Sequence, residues 1–100
     1  MKKRIVSERS LEAFERYLIE NERAEATVQK YLRDVRLFAE YAENRVIDKV
    51  TVLNYKAELA ERYAVRSANS MLASLNAFLR FIGWADLCVK QFKIQQEAYC

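Results

Sequence analysis

The sequence predicts an all-α protein, a compact four-helix bundle, on three observations. Proline is absent and glycine occurs once, at Gly83, so hairpins and long loops lack the residues they lean on. Apolar side chains recur at helical spacing in four successive stretches, each able to bury one face against the others. Hydrophobic residues make up 52% and charged residues 31% of the 100, which is enough for one modest core and unlike a disordered chain.

The first helix is predicted over residues 8–21. Leu11, Phe14 and Leu18 share one face, Ser7 is a suitable N-cap, and Glu8, Glu12, Glu15 and Glu20 make the outside acidic. The second covers 26–44, where Val28, Tyr31, Leu32, Val35, Phe38, Ala39 and Ala42 form one stripe. Lys30, Arg33, Leu37 and Glu40 lie opposite, with Gln29 and Arg36 on a flank; Leu37 does not fit a simple two-faced helix. The third covers 51–63, with Thr51 as N-cap and Val52, Tyr55, Leu59 and Tyr63 facing inward. The fourth covers 67–82. Ala68, Met71, Leu72, Leu75, Phe78, Leu79 and Ile82 line its core side, and Arg66, Asn69, Ser70, Ala73, Ala77 and Arg80 its polar, small side. Gly83 is the C′ residue that can take a left-handed conformation without strain. Residues 84–100, with Trp84, Leu87, Val89, Phe92 and Ile94, read as a short irregular or helical segment after the 8–83 bundle. Residues 1–7 read as a basic N-terminal tail around Lys2-Lys3-Arg4.

Several function classes are disfavoured. The chain has no His and two cysteines, Cys88 and Cys100, outside any CxxC, so neither a metal site nor a cofactor is expected. The commonest general base is missing and one glycine cannot build a phosphate loop, so the chain alone is not expected to be an enzyme. Its carboxylates lie among basic neighbours, as in the i, i+4 pairs Glu12–Arg16 and Glu58–Arg62. No apolar run is long enough to span a bilayer and no signal peptide forms after Lys2-Lys3-Arg4; the reading is cytoplasmic, with no membrane partner and no small-molecule ligand. The charge is uneven. Residues 1–25 hold six basic and six acidic side chains, and 26–100 hold eleven and eight. Binding remains, through two helix faces rich in donors suited to phosphates and base edges.

The stretch "AEATVQKYLRDVRLFAEYA" resembles the second helix of the N-terminal core-binding domain of tyrosine recombinases, the phage-integrase family. That family's rhythm of Thr, Tyr, an apolar residue and Phe falls on Thr27, Tyr31, Val35 and Phe38. "NSMLASLNAFLRFI" resembles its fourth helix, with Asn69, Leu72, Leu75 and Phe78 in register, and "LEAFERYLIENERAEAT" its first helix and link. The similarity spans about residues 8–96, and "WADLCVKQFKIQQ" is most similar to integrases of conjugative transposons.

The resemblance implies a SAM-like helical domain that grips double-stranded DNA in site-specific recombination and DNA integration. The nucleophilic Tyr and its helpers would lie in a separate catalytic domain, absent from this chain; Tyr99 is not that nucleophile. It implies DNA contacts on the second helix at Thr27, Lys30, Arg33 and Arg36. On the fourth helix they are Arg66, Ser67, Asn69, Ser70, Asn76 and Arg80. Other roles stand beside these: Thr27 as a helix-start residue, Arg36 as a partner for Glu40, Asn69 as a bond to its own backbone turn, Lys30 and Arg33 as solvated cations. Family members often carry Arg or Lys where this chain has Ser70, Met71 and Asn76, so the isolated domain, expected to be monomeric, should bind DNA weakly, on the order of micromolar or worse. The rival reading is a helical protein–protein interaction domain without DNA contact. Recombinase protomers assembled on DNA would make the two compatible.

Overall fold

The computed structural model describes residues 4–43 and 45–93. Among them are four α-helices, α1 (Glu8–Glu20), α2 (Glu25–Tyr41), α3 (Lys49–Arg62) and α4 (Val65–Phe81), then a single 3-10 turn, Ala85–Leu87, and an extended stretch to residue 93. There is no strand among the described residues. Lys2, Lys3, Asn44, Ile94, Tyr99 and Cys100 lie outside them.

α1 starts where Ser7 accepts from the Ser10 backbone N–H at 3.1 Å, and the Ser10 hydroxyl accepts in return from the Ser7 N–H at 3.0 Å. The pair is a capping box with Ser in place of the usual Glu or Gln. α3 starts earlier than the sequence suggests. Its N-cap is Asp48, and Thr51 is the N3 residue whose N–H donates to the Asp48 carboxylate at 2.9 Å. That bond holds the Asp48 carboxyl below its ordinary pKa. A group with a lowered folded pKa stabilises above its unfolded value, so this cap contributes at neutral pH and is lost as pH falls through the folded pKa. α2 and α4 also begin one to two residues early, after Ala24 and Ala64, neither of which has a side chain to cap. α2 stops at Tyr41, short of the expected 44.

α4 ends as the single glycine requires. Gly83 sits at φ +85°, its N–H donates to the Arg80 carbonyl at 3.2 Å, and the Trp84 N–H donates to that of Leu79 at 2.7 Å. These are the two bonds of a Schellman cap. α1 ends in the same motif without a glycine. Glu22 takes φ +59°, with Glu22 N–H to the Ile19 carbonyl at 2.9 Å and Arg23 N–H to that of Leu18 at 3.2 Å.

The core contains all the inward residues expected of α1, with Val28, Leu32, Val35 and Phe38 from α2 and Ala42 just after it, Val52, Tyr55 and Leu59 from α3, and Ala68, Met71, Leu72, Leu75, Phe78 and Leu79 from α4. Phe14, Phe38 and Phe78 are completely buried. Phe14 meets Phe78 edge-on at 5.3 Å and Phe38 meets Tyr55 edge-on at 5.1 Å, a geometry the ring quadrupoles favour. Tyr63, expected inside, is exposed, because α3 has ended at Arg62 and the chain has turned extended. Ile47, in the link before α3, is buried instead.

Glu22 is exposed and strained, so Glu22→Gly should raise stability by roughly 0.5–1 kcal/mol in urea unfolding. Gly83→Ala should lower it by about 1 kcal/mol, although a Cβ there meets nothing within 4 Å, because the cost is backbone conformation.

Candidate nucleic-acid interface

α2 and α4 make the most extensive helix–helix contact in the fold. At its centre lies a group the sequence reading passed over, Asp34, only 4% exposed. A buried carboxylate needs partners; two share one oxygen, and the exposed Arg33 lies 4.0 Å from the other through its Nε. The Ser74 hydroxyl, fully buried on α4, donates to it at 2.8 Å, and Lys30, one turn earlier on α2, pairs with the same oxygen. Lys30 Nζ also lies 3.4 Å from the Ser74 hydroxyl and 3.5 Å from the Ser70 carbonyl. Lys30 is therefore a half-buried countercharge as well as a surface cation. The available signal was the i, i+4 spacing of Lys30 and Asp34 at the edge of the apolar stripe.

Beside this network runs a groove of about 300 Å³, lined by Lys30, Arg33, Asp34, Leu37, Tyr63, Ser67, Ser70 and Met71. Four of the expected contact residues, Lys30, Arg33, Ser67 and Ser70, thus share one feature. It also accounts for Leu37, which meets the Tyr63 and Met71 side of the groove instead of standing alone on a polar face. Arg33 and Arg66 are exposed, and Arg66 lies on the outer ridge of α4 with half-buried Ala73 and Ala77 and exposed Arg80. Thr27 is half-buried in the first turn of α2 and caps nothing. Arg36 is on the far flank. Its guanidinium donates to Glu8 on α1 at 3.1 Å, in place of the Glu40 pairing the spacing allowed. The Glu58–Arg62 pair forms, at 3.7 Å between exposed groups.

Asn69 and Asn76 are placed differently from the expectation that they reach base edges. Both are buried, at 8% and 9% exposure, under the chain's own extended stretch. Asn69 accepts from the Phe92 N–H at 2.7 Å and donates to the Phe92 carbonyl at 2.9 Å. Asn76 does the same with Val89, at 3.1 and 2.8 Å. Each amide thus has both its ends engaged inside the chain. Seven helical residues rise about 10.5 Å and three extended residues about 10 Å, so the two spacings match. The stretch runs antiparallel to α4, with Val89 buried and exposed Lys90 and Lys93 on either side of half-buried Phe92. α3 holds its other edge: Lys49 Nζ donates to the Cys88 carbonyl at 2.6 Å, and Lys56 Nζ sits 4.7 Å from the Phe92 ring centre. Cys88 is a free thiol. At the start of the segment Arg4 pairs with Asp86 at 2.9 Å, and this hydrogen bond holds the Asp86 carboxyl below its ordinary pKa.

Among the described residues no three His, Cys, Asp or Glu side chains are grouped to hold a metal ion, and no helix is long and apolar enough to cross a membrane. The chemistry this surface offers is charge and hydrogen-bond donation, arranged along two helices. Residues 11–86 match the family described as phage integrase, N-terminal SAM-like domain. No curated protein and no solved structure matches the chain.

Removing one member of the buried network leaves the others unsatisfied. Lys30→Met should cost roughly 2–3 kcal/mol, because Asp34 cannot follow water outward. Asp34→Asn should cost less, since Lys30 can swing into solvent. Urea unfolding of the two variants checks the order.

Proposed function

The chain belongs to the phage integrase N-terminal SAM-like domain family, and from that premise we propose that it is the DNA-gripping, non-catalytic part of a site-specific recombinase. Duplex DNA lies across α2 and α4 in this reading. The observation that carries it is the gathering of Lys30, Arg33, Ser67 and Ser70 along one α2–α4 groove, next to the Arg66–Arg80 ridge. Arg33 and Arg66 hold phosphates by charge, and Ser67, Ser70 and Thr27 add hydroxyl donors. Arg36, Arg80 and Lys30 contribute less, each already having a neighbour in the fold; Arg33, 4.0 Å from Asp34 at its Nε, is still 68% exposed at its side chain. With Asn69 and Asn76 occupied, this face has few groups to read bases, so the grip is on the backbone and sequence choice rests elsewhere. The acidic outside of α1 points away from the duplex.

A second reading has its own observation. Leu37, Tyr63 and Val65 are exposed apolar side chains, and the first two line the same groove. A helix from a partner or a second protomer would bury them, through an interface insensitive to salt.

Amide NMR shifts during titration with a short duplex, at low and moderate salt, separate the two. Shifts grouped on residues 27–36 and 66–80 that fade as salt rises are the expected result. Arg33→Gln with Arg66→Gln should lower the salt slope of log K by about two, each lost phosphate contact being worth about 0.9. Shifts that appear with protein concentration and persist at high salt would support the protein-interaction reading instead.

A further inference from the structure

The two buried asparagines change what the far side of α4 presents. Where a bare helix would show amides, residues 88–93 cover them and expose Lys90, Gln91 and Lys93. We propose that this exit segment is itself a DNA-backbone contact, with Lys90 and Lys93 as its phosphate ligands, and that Asn69 and Asn76 are the positioning residues that hold it in place. The proposal rests on the DNA-gripping reading above and extends its surface from two tracks to three.

The register is specified from several sides. Each asparagine reads both backbone groups of one residue, so the pairing does not depend on side chains and by itself would permit a slip. Burial of Val89, the Lys49 bond to the Cys88 carbonyl, the Phe92–Lys56 contact and the bond from Gln91 Nε2 to the Asn69 carbonyl at 3.0 Å prevent one. In this register the exposed positions are Lys90, Gln91 and Lys93. α3 supplies Lys49 and Lys56 on one side and α4 supplies Arg80, whose guanidinium lies 4.0 Å from the Cys88 sulfur. The segment holds no acid, and Asp86, in the 3-10 turn before it, already faces Arg4. The face is therefore cationic, lies along α4 on the side opposite the α2 groove, and suits a polyanionic backbone. Its backbone is held before binding, which reduces the entropy lost on contact.

The test is the salt dependence of duplex binding by the 100-residue chain, followed by fluorescence anisotropy. Lys90→Gln with Lys93→Gln should lower the slope of log K by about two, while the charge-matched control, Arg9→Gln on α1 with Arg23→Gln in the link after it, leaves it unchanged. Asn69→Ser with Asn76→Ser keeps both lysines, so it should keep the slope but weaken binding several-fold, with hydrogen exchange at Val89 and Phe92 accelerated and α1–α2 exchange unaltered. If the lysine pair has no more effect than the control while the Arg33 and Arg66 substitutions do lower the slope, the exit-segment proposal is overturned and the DNA reading stands. If the asparagine variant binds as tightly as the parent, the positioning role is overturned. Loss of all salt-dependent binding in the unmodified chain would overturn both readings.

Discussion

The carboxylate of Asp34 constrains how the helices of this domain can sit. Buried between α2 and α4, it must find donors, and they come from Ser74 across the interface and Lys30 on its own helix. Apolar packing alone tolerates small slides of one helix along another. A buried charge with two specific partners does not, because a shift of one turn would strand it. The register of α2 on α4 follows, and with it the groove in which Arg33 stands near Ser67 and Ser70. Electrostatics within the core thus arranges the surface outside it.

α4 is the element on which the other parts converge. One side enters the core, a second meets α2 through Ser70 and Ser74, a third carries the exit segment on Asn69 and Asn76, and a narrow ridge of Arg66, Ala73, Ala77 and Arg80 stays outermost. Few residue types can serve a helix embraced this closely. Serine and alanine leave room for a neighbouring backbone, and asparagine, with one donor and one acceptor side by side, can replace a strand partner for an extended chain. The small, polar composition that reads from sequence as an open surface is here the composition of a helix with neighbours on nearly every side.

What was legible in the sequence is what depends on local periodicity. The four helices, the Ser7 cap, the Gly83 terminus and the Phe14, Phe38 and Phe78 core follow from spacing and from single-residue conformational preferences. Polar residues were harder. Asp34 looked like one more charge on a charged helix, and the Asn69–Asn76 spacing of seven had no visible partner, since the extended segment it serves has no periodicity of its own. Thr51 fits a cap by residue type, but Asp48, three residues earlier, competes for the same role and wins it, a carboxylate accepting better than a hydroxyl. Lys30 and Arg36 fell on a polar face as expected. Lys30 has a local signal in Asp34 one turn later, but the burial of that pair against Ser74, 44 positions from Lys30, and the bond from Arg36 to Glu8, 28 positions away, follow from no local pattern.

The distribution of charge bears on how such a domain meets a polyanion. Residues 4–43 carry seven basic and nine acidic side chains, and residues 45–93 carry eight and four. The net charge of +3 is small, so attraction at long range is weak, and beyond about 8 Å in physiological salt it is screened. The asymmetry matters more than the sum. A domain negative along α1 and positive along α4 and the exit segment experiences a torque near a phosphate backbone, and only one side can approach closely. Orientation is then obtained without high affinity, which suits a module proposed to grip DNA by its backbone. It also explains why stronger cations at Ser70 and Asn76 would be poorly accommodated: the first sits over the Lys30–Asp34 network and the second beneath the exit segment, so a positive charge at either would weaken the packing that sets the face in place.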